Sequence, residues 1–189
     1  MTRIYLIRHG RPQSSWGGGD PDPGLDTVGR AQAQAVADRF MRLPAAERPS
    51  RVISSPLRRC RETAEPTAQA LNIAVEIDPA VGEIPTPEGL AQTERPAWLQ
   101  TAFSGAWSEI EGDLDYDQWR HGAAEALMRY PGAAVFSHFV AINAVLSSLS
   151  GDPQVIVFRP DHTSTSIFAV DSNGLTLLER GAEATTGVL

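Results

Sequence analysis

Arg3–Arg11 reads RIYLIRHGR. Its first five residues are a β-branched and aromatic run, the pattern of a buried strand. Arg8-His9-Gly10-Arg11 follows at once, and Gly10–Gly24 then carries GGG, Pro12, Pro21, Pro23 and Trp16, which predicts a loop. A buried strand that stops abruptly in charge is what an open α/β sheet presents at its carboxyl rim, where ligands collect.

The same rhythm continues outward. Asp26 or Thr27 caps a predicted helix running to about Leu43, with Gly29, Ala33, Val36, Phe40 and Leu43 at helical spacing. Arg51–Ser54 is a second predicted strand. Ser55-Pro56 opens a second helix, with proline tolerated in the first turn and Leu57, Cys60, Ala64, Ala68 and Leu71 on the inner face. Ala74–Ile77 is a third strand. Residues 83–112 hold Pro85, Pro87, Pro96, Trp98, Phe103 and Trp107 and predict short helices and loops, a cap or wall over a site. Asp113–Tyr130 predicts a helix with Leu114, Trp119, Ala123 and Leu127 inward. Ala133–Ser137 is a strand, His138–Leu149 a helix, and Val155–Phe158, Ser166–Val170 and Leu175–Leu178 are strands; the tail after Gly181 is expected to fray. Helices alternating with strands predict a three-layer α/β/α fold in a single domain over 1–189. Its sheet is mostly parallel with an antiparallel edge, because the last strands lack long helices between them.

Composition narrows the function. The chain has 189 residues, 42% apolar and 21% charged, with a single cysteine, Cys60, so it is long enough for one core and is no disulfide scaffold. Every one of its 16 basic residues is arginine, which excludes a Schiff-base lysine and a P-loop lysine. Residues 1–65 carry a charge of +4 and residues 66–189 carry −11. That balance disfavours nucleic acid and points to one focused site for a small anion, with chance clustering on a solvated face as the alternative. No apolar run is long enough to span a bilayer, and Ile4–Ile7 is too short for a signal-peptide core, so the expectation is a cytoplasmic protein. No Cys/His or carboxylate set has metal spacing, and no cofactor or metal is expected. The oligomeric state is not legible.

Three predicted strand ends carry unusual residues. The first holds Arg8 and His9. The second leads through Ser54-Ser55 to Arg58, Arg59 and Arg61. The fourth ends in Ser137-His138. A neutral imidazole is a nitrogen nucleophile near pH 7 and can form a covalent phosphoryl intermediate. Arginine forks onto phosphoryl oxygens, and helix N-termini add backbone donors. Glu83, just after the third strand, is the candidate acid for a leaving alcohol. Taken singly, a histidine at a strand end is more often structural, an arginine cluster is more often a solvated face, and Cys60 reads as a small core residue. The convergence of all three ends shifts the reading to chemistry.

At this point the chain resembles the histidine phosphatase superfamily, the phosphoglycerate mutase-like proteins. LIRHG (Leu6–Gly10) is similar to its signature. LDTVGRAQA (Leu25–Ala33) resembles the block opening the first helix, with Asp26 in the usual Thr place. SSPLRRCRETAEPTA (Ser54–Ala68) resembles the second block, with Cys60 in the usual Ala place. VFSHFVAI (Val135–Ile142) resembles the block of the second histidine. PDHTSTSI (Pro160–Ile167) resembles a late block, with His162 in the usual Asn place. The resemblance implies that His9 is the phosphorylated nucleophile, that Arg8 and Arg59 clamp the phosphoryl oxygens, that His138 completes the pocket and that Glu83 is the acid. Arg58 and Arg61 have no role in it and are expected to face solvent. Arg11, Ser15, Phe139 and His162 are the expected substrate contacts, with Trp16, Trp98, Phe103 and Trp107 as candidate aromatics on the pocket wall. The expected partner is a small phosphorylated substrate, with inorganic phosphate as product. Mutases of the family carry a Ser-x-x-Asn arrangement after the signature; here Pro12–Gly17 lacks the Asn, and the middle segment is acidic. Both points favour a metal-independent phosphatase over a mutase. A non-catalytic phosphate or phosphoprotein binder is the third reading; all of His9, Arg8, Arg59 and His138 being present weighs against it.

Overall fold

A computed structural model describes residues 2–14 and 20–185. The elements run β1 (Thr2–Arg8), α1 (Thr27–Arg42), β2 (Arg51–Ser54), α2 (Arg58–Leu71), β3 (Val75–Ile77), α3 (Arg95–Phe103), α4 (Tyr116–Met128), β4 (Ala133–Ser137), α5 (Phe139–Ser150), β5 (Thr165–Asp171) and β6 (Gly174–Glu179). They form one sheet in the order β3-β2-β4-β1-β5-β6. β1 to β4 are mutually parallel, and β5 and β6 add an antiparallel edge. The predicted three-layer architecture is the observed one.

Period-two alternation divides the strands between two cores. Tyr5, Ile7, Val52, Ala134 and Phe136 face α1 and α2, meeting Val36, Phe40, Cys60, Ala64 and Ala68. Ile4, Leu6, Ile53, Ala133 and Val135 face the other way, onto Leu127 and Tyr130 at the end of α4 and Ile142, Val145 and Leu146 of α5. A third cluster, with Ile84, Leu99, Trp107, Tyr116, Phe139 and Val155, lies under residues 83–112. Asp26 caps α1 by accepting from Gly29 N at 2.7 Å, and Asp115 caps α4 through Gln118 N at 2.9 Å. The cap at Asp115 starts α4 later than the expected Asp113 and leaves Leu114 43% exposed rather than in the core.

Two other expectations fail for local reasons. Val155–Phe158 is not a strand. Asn143 of α5, fully buried, accepts from both Val157 N and Phe158 N at 2.9 Å and donates to Phe139 O at 3.0 Å, so a side chain replaces the ladder. The tail does not fray directly after Gly181. Ala184 N donates to Arg159 O at 2.9 Å and Asp161 N to Ala182 O at 3.0 Å, pinning the chain through that stretch beside Pro160. Among the described residues no helix is long and apolar enough to cross a membrane.

Asn143→Leu preserves bulk but strands two amides, those of Val157 and Phe158. Each unsatisfied buried group costs about 1–3 kcal/mol, so urea unfolding should show a loss of about 2–6 kcal/mol. A loss under about 1 kcal/mol would mean that these amides find other partners.

Candidate active site

The site is built where three parallel strands end together. Arg8 of β1 pairs with Ser137 of β4, so His9 and His138 are the next residues along neighbouring strands. His9 N donates to Ser137 O at 3.0 Å, and the two imidazole centroids are 5.3 Å apart. β2 ends alongside, and α2 begins four residues on, which brings Arg59 into the same plane of contacts.

The turn after His9 is held by close backbone contact. A Cβ on Gly10 would lie 2.8 Å from Gly29 O, and one on Gly29 would lie 2.1 Å from Arg11 O. Glycine is required at both places because the loop rests directly on the first turn of α1. Thr63 completes the seat. Its hydroxyl accepts from Gly10 N at 2.9 Å and donates to Arg59 O at 2.6 Å.

Hydrogen bonding sets both imidazole tautomers. His9 Nδ1 faces Gly10 O at 2.8 Å, an acceptor only, so Nδ1 carries the proton. Nε2 keeps its lone pair and accepts from Arg59 Nε at 3.2 Å. The same guanidinium places Nη2 3.2 Å from His138 Nδ1, so His138 carries its proton on Nε2, 2.7 Å from Ser55 Oγ. Cys60 Sγ packs 3.3 Å from His138 Nε2 and donates to Ser137 O at 3.3 Å.

Electrostatics keep these rings neutral. Burial first, then His138, Arg59 and Arg8, push His9 well below the ordinary imidazole range. Burial, then Arg59, Arg95 and Arg8, do the same to His138. Arg8 is 5% exposed and burial pulls it down to about 10. Its Nη1 donates to Pro160 O at 2.8 Å, its guanidinium lies 5.1 Å over the Phe139 ring, and its Nε is buried with no hydrogen-bond partner among the described residues. Burial raises Glu83 above the usual carboxyl range, against the opposing pull of Arg95, of its bond from Ile84 N, and of Arg59 and Arg8. Burial also holds the Cys60 thiol protonated, so it is no nucleophile.

A cavity of about 650 Å³ opens over this set. Arg8, His9, Arg59, Glu83, Arg11 and His162 all line it. Arg11 does so from its edge, half exposed, with Nε 2.6 Å from Asp26 Oδ2. His162 sits 5.9 Å from His9, centroid to centroid, and is pulled down to about 4, mainly by burial and Arg8. It follows Asp161 and precedes Thr163, whose left-handed backbone (φ 59°) is rare for a β-branched residue. Thr163 N donates to Arg8 O at 3.1 Å, and that bond holds the strained turn in place.

Several expected contacts lie elsewhere. Phe139 is 2% exposed and does not line the cavity; it packs against Phe103 and under Arg8, so it is corrected from a substrate contact to a support. Trp98, Phe103 and Trp107 do not line the cavity either: Trp98 packs at a tilt against Tyr116, and Trp107 is buried with its indole N–H on Ser147. Ser15 and Trp16 lie outside the described residues. His138 is fully buried behind Arg59 rather than on the wall. Arg58 and Arg61 point outward, and Arg58 pairs with Glu62 at 2.7 Å. Sequence reasoning missed Arg95, Ser55, Thr63 and Thr163. The first two line the cavity. Ser55 and Thr63 stand inside a motif already singled out, which is the signal that was there to be used.

The family model described as histidine phosphatase superfamily (branch 1) matches residues 4–182. The probable phosphoglycerate mutase GpmB of Escherichia fergusonii is 28% identical over 191 aligned positions, covering 90% of this chain and 85% of the relative. Among solved structures, mycobacterial glucosyl-3-phosphoglycerate phosphatase superposes with a TM-score of 0.72 at 19% identity, over 97% of this chain and 100% of that one. Phosphoserine phosphatase of Entamoeba histolytica, in complex with 3-phosphoglyceric acid, does so with a TM-score of 0.74 at 22% identity, over 96% of this chain and 98% of that one. At such identities the likeness is one of fold.

The depressed histidines link stability to acid. Each is neutral when folded and titrates at about 6.5 when unfolded, so the unfolded chain binds more protons below that pH. Stability should therefore be full above about pH 6.5 and fall on acidification, by at most about 1.4 kcal/mol per pH unit for each histidine. His162→Gln should reduce the slope of unfolding free energy between pH 6.5 and 4, read by urea titration at each pH; an unchanged slope would show that His162 titrates normally.

Proposed function

From membership of the histidine phosphatase superfamily (branch 1), to which this chain belongs, we propose that the protein hydrolyses a phosphomonoester through a phosphohistidine on His9, without a metal ion. One observation carries the reading. His9 Nε2 holds its lone pair beside the buried guanidinium of Arg59, which donates to it at 3.2 Å, in a cavity also lined by Arg8, whose Nε is buried with no hydrogen-bond partner among the described residues. Those groups are what an in-line attack on phosphorus needs: a neutral nucleophile and fixed cations for the equatorial oxygens.

The resting contact between Arg59 and His9 must open first. A phosphoryl group is the stronger acceptor, because it carries full negative charge and offers oxygens to two guanidinium N–H groups at once, whereas His9 Nε2 is one neutral lone pair. Substrate binding thus draws Arg59 off the nucleophile and onto the group to be transferred. His9 Nε2 then attacks phosphorus as the P–O bond to the alcohol breaks, while Glu83 gives its proton to the leaving oxygen. The Glu83 carboxylate next takes a proton from water as that water attacks the phosphohistidine and the N–P bond breaks, releasing inorganic phosphate. Gly10 O stabilises the cationic ring through Nδ1–H. His138 is a positioning residue: it accepts from Arg59 Nη2 and is itself held by Ser55. Residues 82–86 with Gln92, Arg95 and Pro96 form the wall that selects the organic part.

The mutase reading is favoured by the name of the Escherichia fergusonii relative. The two are separated by following phosphate release and isomer exchange on 3-phosphoglycerate; exchange without release would replace hydrolysis by transfer.

His9→Ala should abolish phosphate release from β-glycerophosphate, and EDTA should leave the wild type unaffected. Glu83→Gln should lose about 10²- to 10⁴-fold in kcat on this poor leaving group and far less on p-nitrophenyl phosphate, whose leaving group needs no proton. In the wild type the rate should fall as pH rises through the elevated Glu83 value, and that alkaline limb should vanish in Glu83→Gln. Full activity of His9→Ala would end the phosphohistidine route.

A further inference from the structure

Ser137 ends β4, and its two oxygens face different parts of the proposed chemistry. Its carbonyl accepts from His9 N at 3.0 Å. Its hydroxyl donates to Val81 O at 2.7 Å, two residues before Glu83. One residue thus holds the backbone of the nucleophile and the turn that leads to the acid.

The packing of the strand does not account for the hydroxyl. Ala133, Ala134, Val135 and Phe136 are fully buried and apolar, and Ser137 is buried with them. Side chains two apart share a face of a strand, so Ser137 follows Ala133 and Val135 onto the face that meets Val81 and α5. Alanine or valine would serve apolar packing there. A hydroxyl taken from water costs free energy unless it is bonded, and the bond this one makes is to the turn.

The turn Pro79–Val81 is closed within itself but has to be located against His9. Ala80 N donates to Asp78 Oδ1 at 2.8 Å, and Gly82 N donates to Pro79 O at 2.9 Å. Glu83 Oε1 accepts from Ile84 N at 3.0 Å, which leaves the acid proton to Oε2. The near end of the turn is tied just past α4, where Tyr130 and Arg129 donate to Asp78 Oδ2. β3 reaches no further than Ile77, which pairs with Ser54. At the far end the Val81 side chain enters the core beside Val135, but apolar contact has no direction. The bond from Ser137 has one.

We propose that Ser137 is a positioning residue for the acid: its hydroxyl holds the turn Pro79–Val81 to the strand end that seats His9, and so fixes Glu83 at the leaving-group oxygen. This rests on the phosphomonoesterase reading above and adds a residue to it. The hold on His9 runs through the Ser137 carbonyl, which a change of side chain leaves in place. Replacing the side chain therefore loosens the acid more than the attack.

The test measures Ser137→Ala on two esters. On β-glycerophosphate, whose leaving oxygen needs a proton, kcat should fall about 10- to 100-fold, the cost of displacing a catalytic group by about 1 Å. On p-nitrophenyl phosphate it should fall less than about threefold. In a Glu83→Gln background Ser137→Ala should cost no more than about twofold further on β-glycerophosphate, because changes that act through one group are not additive. A serine that only supports the fold would slow both esters alike and would slow Glu83→Gln as well. Ser137→Cys is close in volume and keeps a weak donor, so it should show the same split in smaller measure, and it decides the matter where Ser137→Ala does not fold. Equal losses on both esters, no loss on either, a full further loss in the double variant, or failure of both single variants to fold overturns the proposal. Glu83→Gln alone tells the two readings apart. If its loss is selective for β-glycerophosphate and that of the Ser137 variants is not, the acid stands and the assignment of Ser137 falls. If Glu83→Gln shows no selectivity, the acid and its positioning residue fall together.

Discussion

The site depends on one backbone register, the parallel pairing that sets Arg8 opposite Ser137. Because β1 and β4 stop at the same level, the residue after each strand is carried to the same rim, and those residues are His9 and His138. Sliding one strand by a single residue would turn its side chains to the opposite face. The register is held from both faces: Tyr5 and Ile7 are packed against α1 and α2, Ile4 and Leu6 against α4 and α5. β5 also pairs antiparallel with β1, and its leading turn returns Thr163 N to Arg8 O at 3.1 Å. The core residues are thus part of the chemistry, since they keep two imidazoles 5.3 Å apart without a direct bond between them.

Much of this was legible in the chain. Strongly periodic elements came through: the RIYLI strand, the α1 face from Gly29 to Phe40, and AAVFS before His138. These are cases in which local pattern and tertiary burial agree. The failures share a cause, a side chain or loop from far away overriding a local signal. Val155–Phe158 has strand composition, but Asn143 takes two of its amides. The last described residues look unstructured by composition, yet they are tied to Arg159 and Asp161. Phe139 follows the second histidine and so looked like a pocket residue, but as the first residue of α5 it turns back under Arg8.

Of the site, the residues carried by motifs were legible, and those carried by the wall were not. His9, Arg8, Arg59 and Glu83 all reach the cavity. Arg95 does too, but it lies in a stretch of prolines and glycines where no periodicity says which way a side chain points. The aromatics of that stretch were the more conspicuous candidates, and packing removed them. Trp107 and Phe103 bury their rings in or against the cluster around Val140, because a loop without a sheet beneath it must build its own core. A wall segment therefore reveals its fold-building residues by size, while a charged residue that reaches the cavity, such as Arg95, is not marked by its spacing.

On the proposed reading, one physical cause sets the acid, Glu83, and the nucleophile, His9, together. Burial penalises charge, which makes an imidazole harder to protonate and a carboxyl harder to ionise. His9 is pushed down and Glu83 up by the same exclusion of water. The guanidiniums act on the two groups unequally. On His9 the fields of Arg59 and Arg8 add to burial; on Glu83 Arg95, Arg59 and Arg8 oppose it, and burial still wins. That margin grows when an anion is bound. In the proposed reaction a phosphoryl dianion held by Arg8 and Arg59 would cancel much of the field that favours ionised Glu83, and so raise it further as a proton donor. The same anion would also favour a cation on His9, but in that reaction the lone pair is by then committed to phosphorus, and the positive charge that develops on the ring would be held by Gly10 O at Nδ1. Under the proposed mechanism the arginines thus depress Glu83 most when the cavity has no use for an acid, and would release it when the ester arrives.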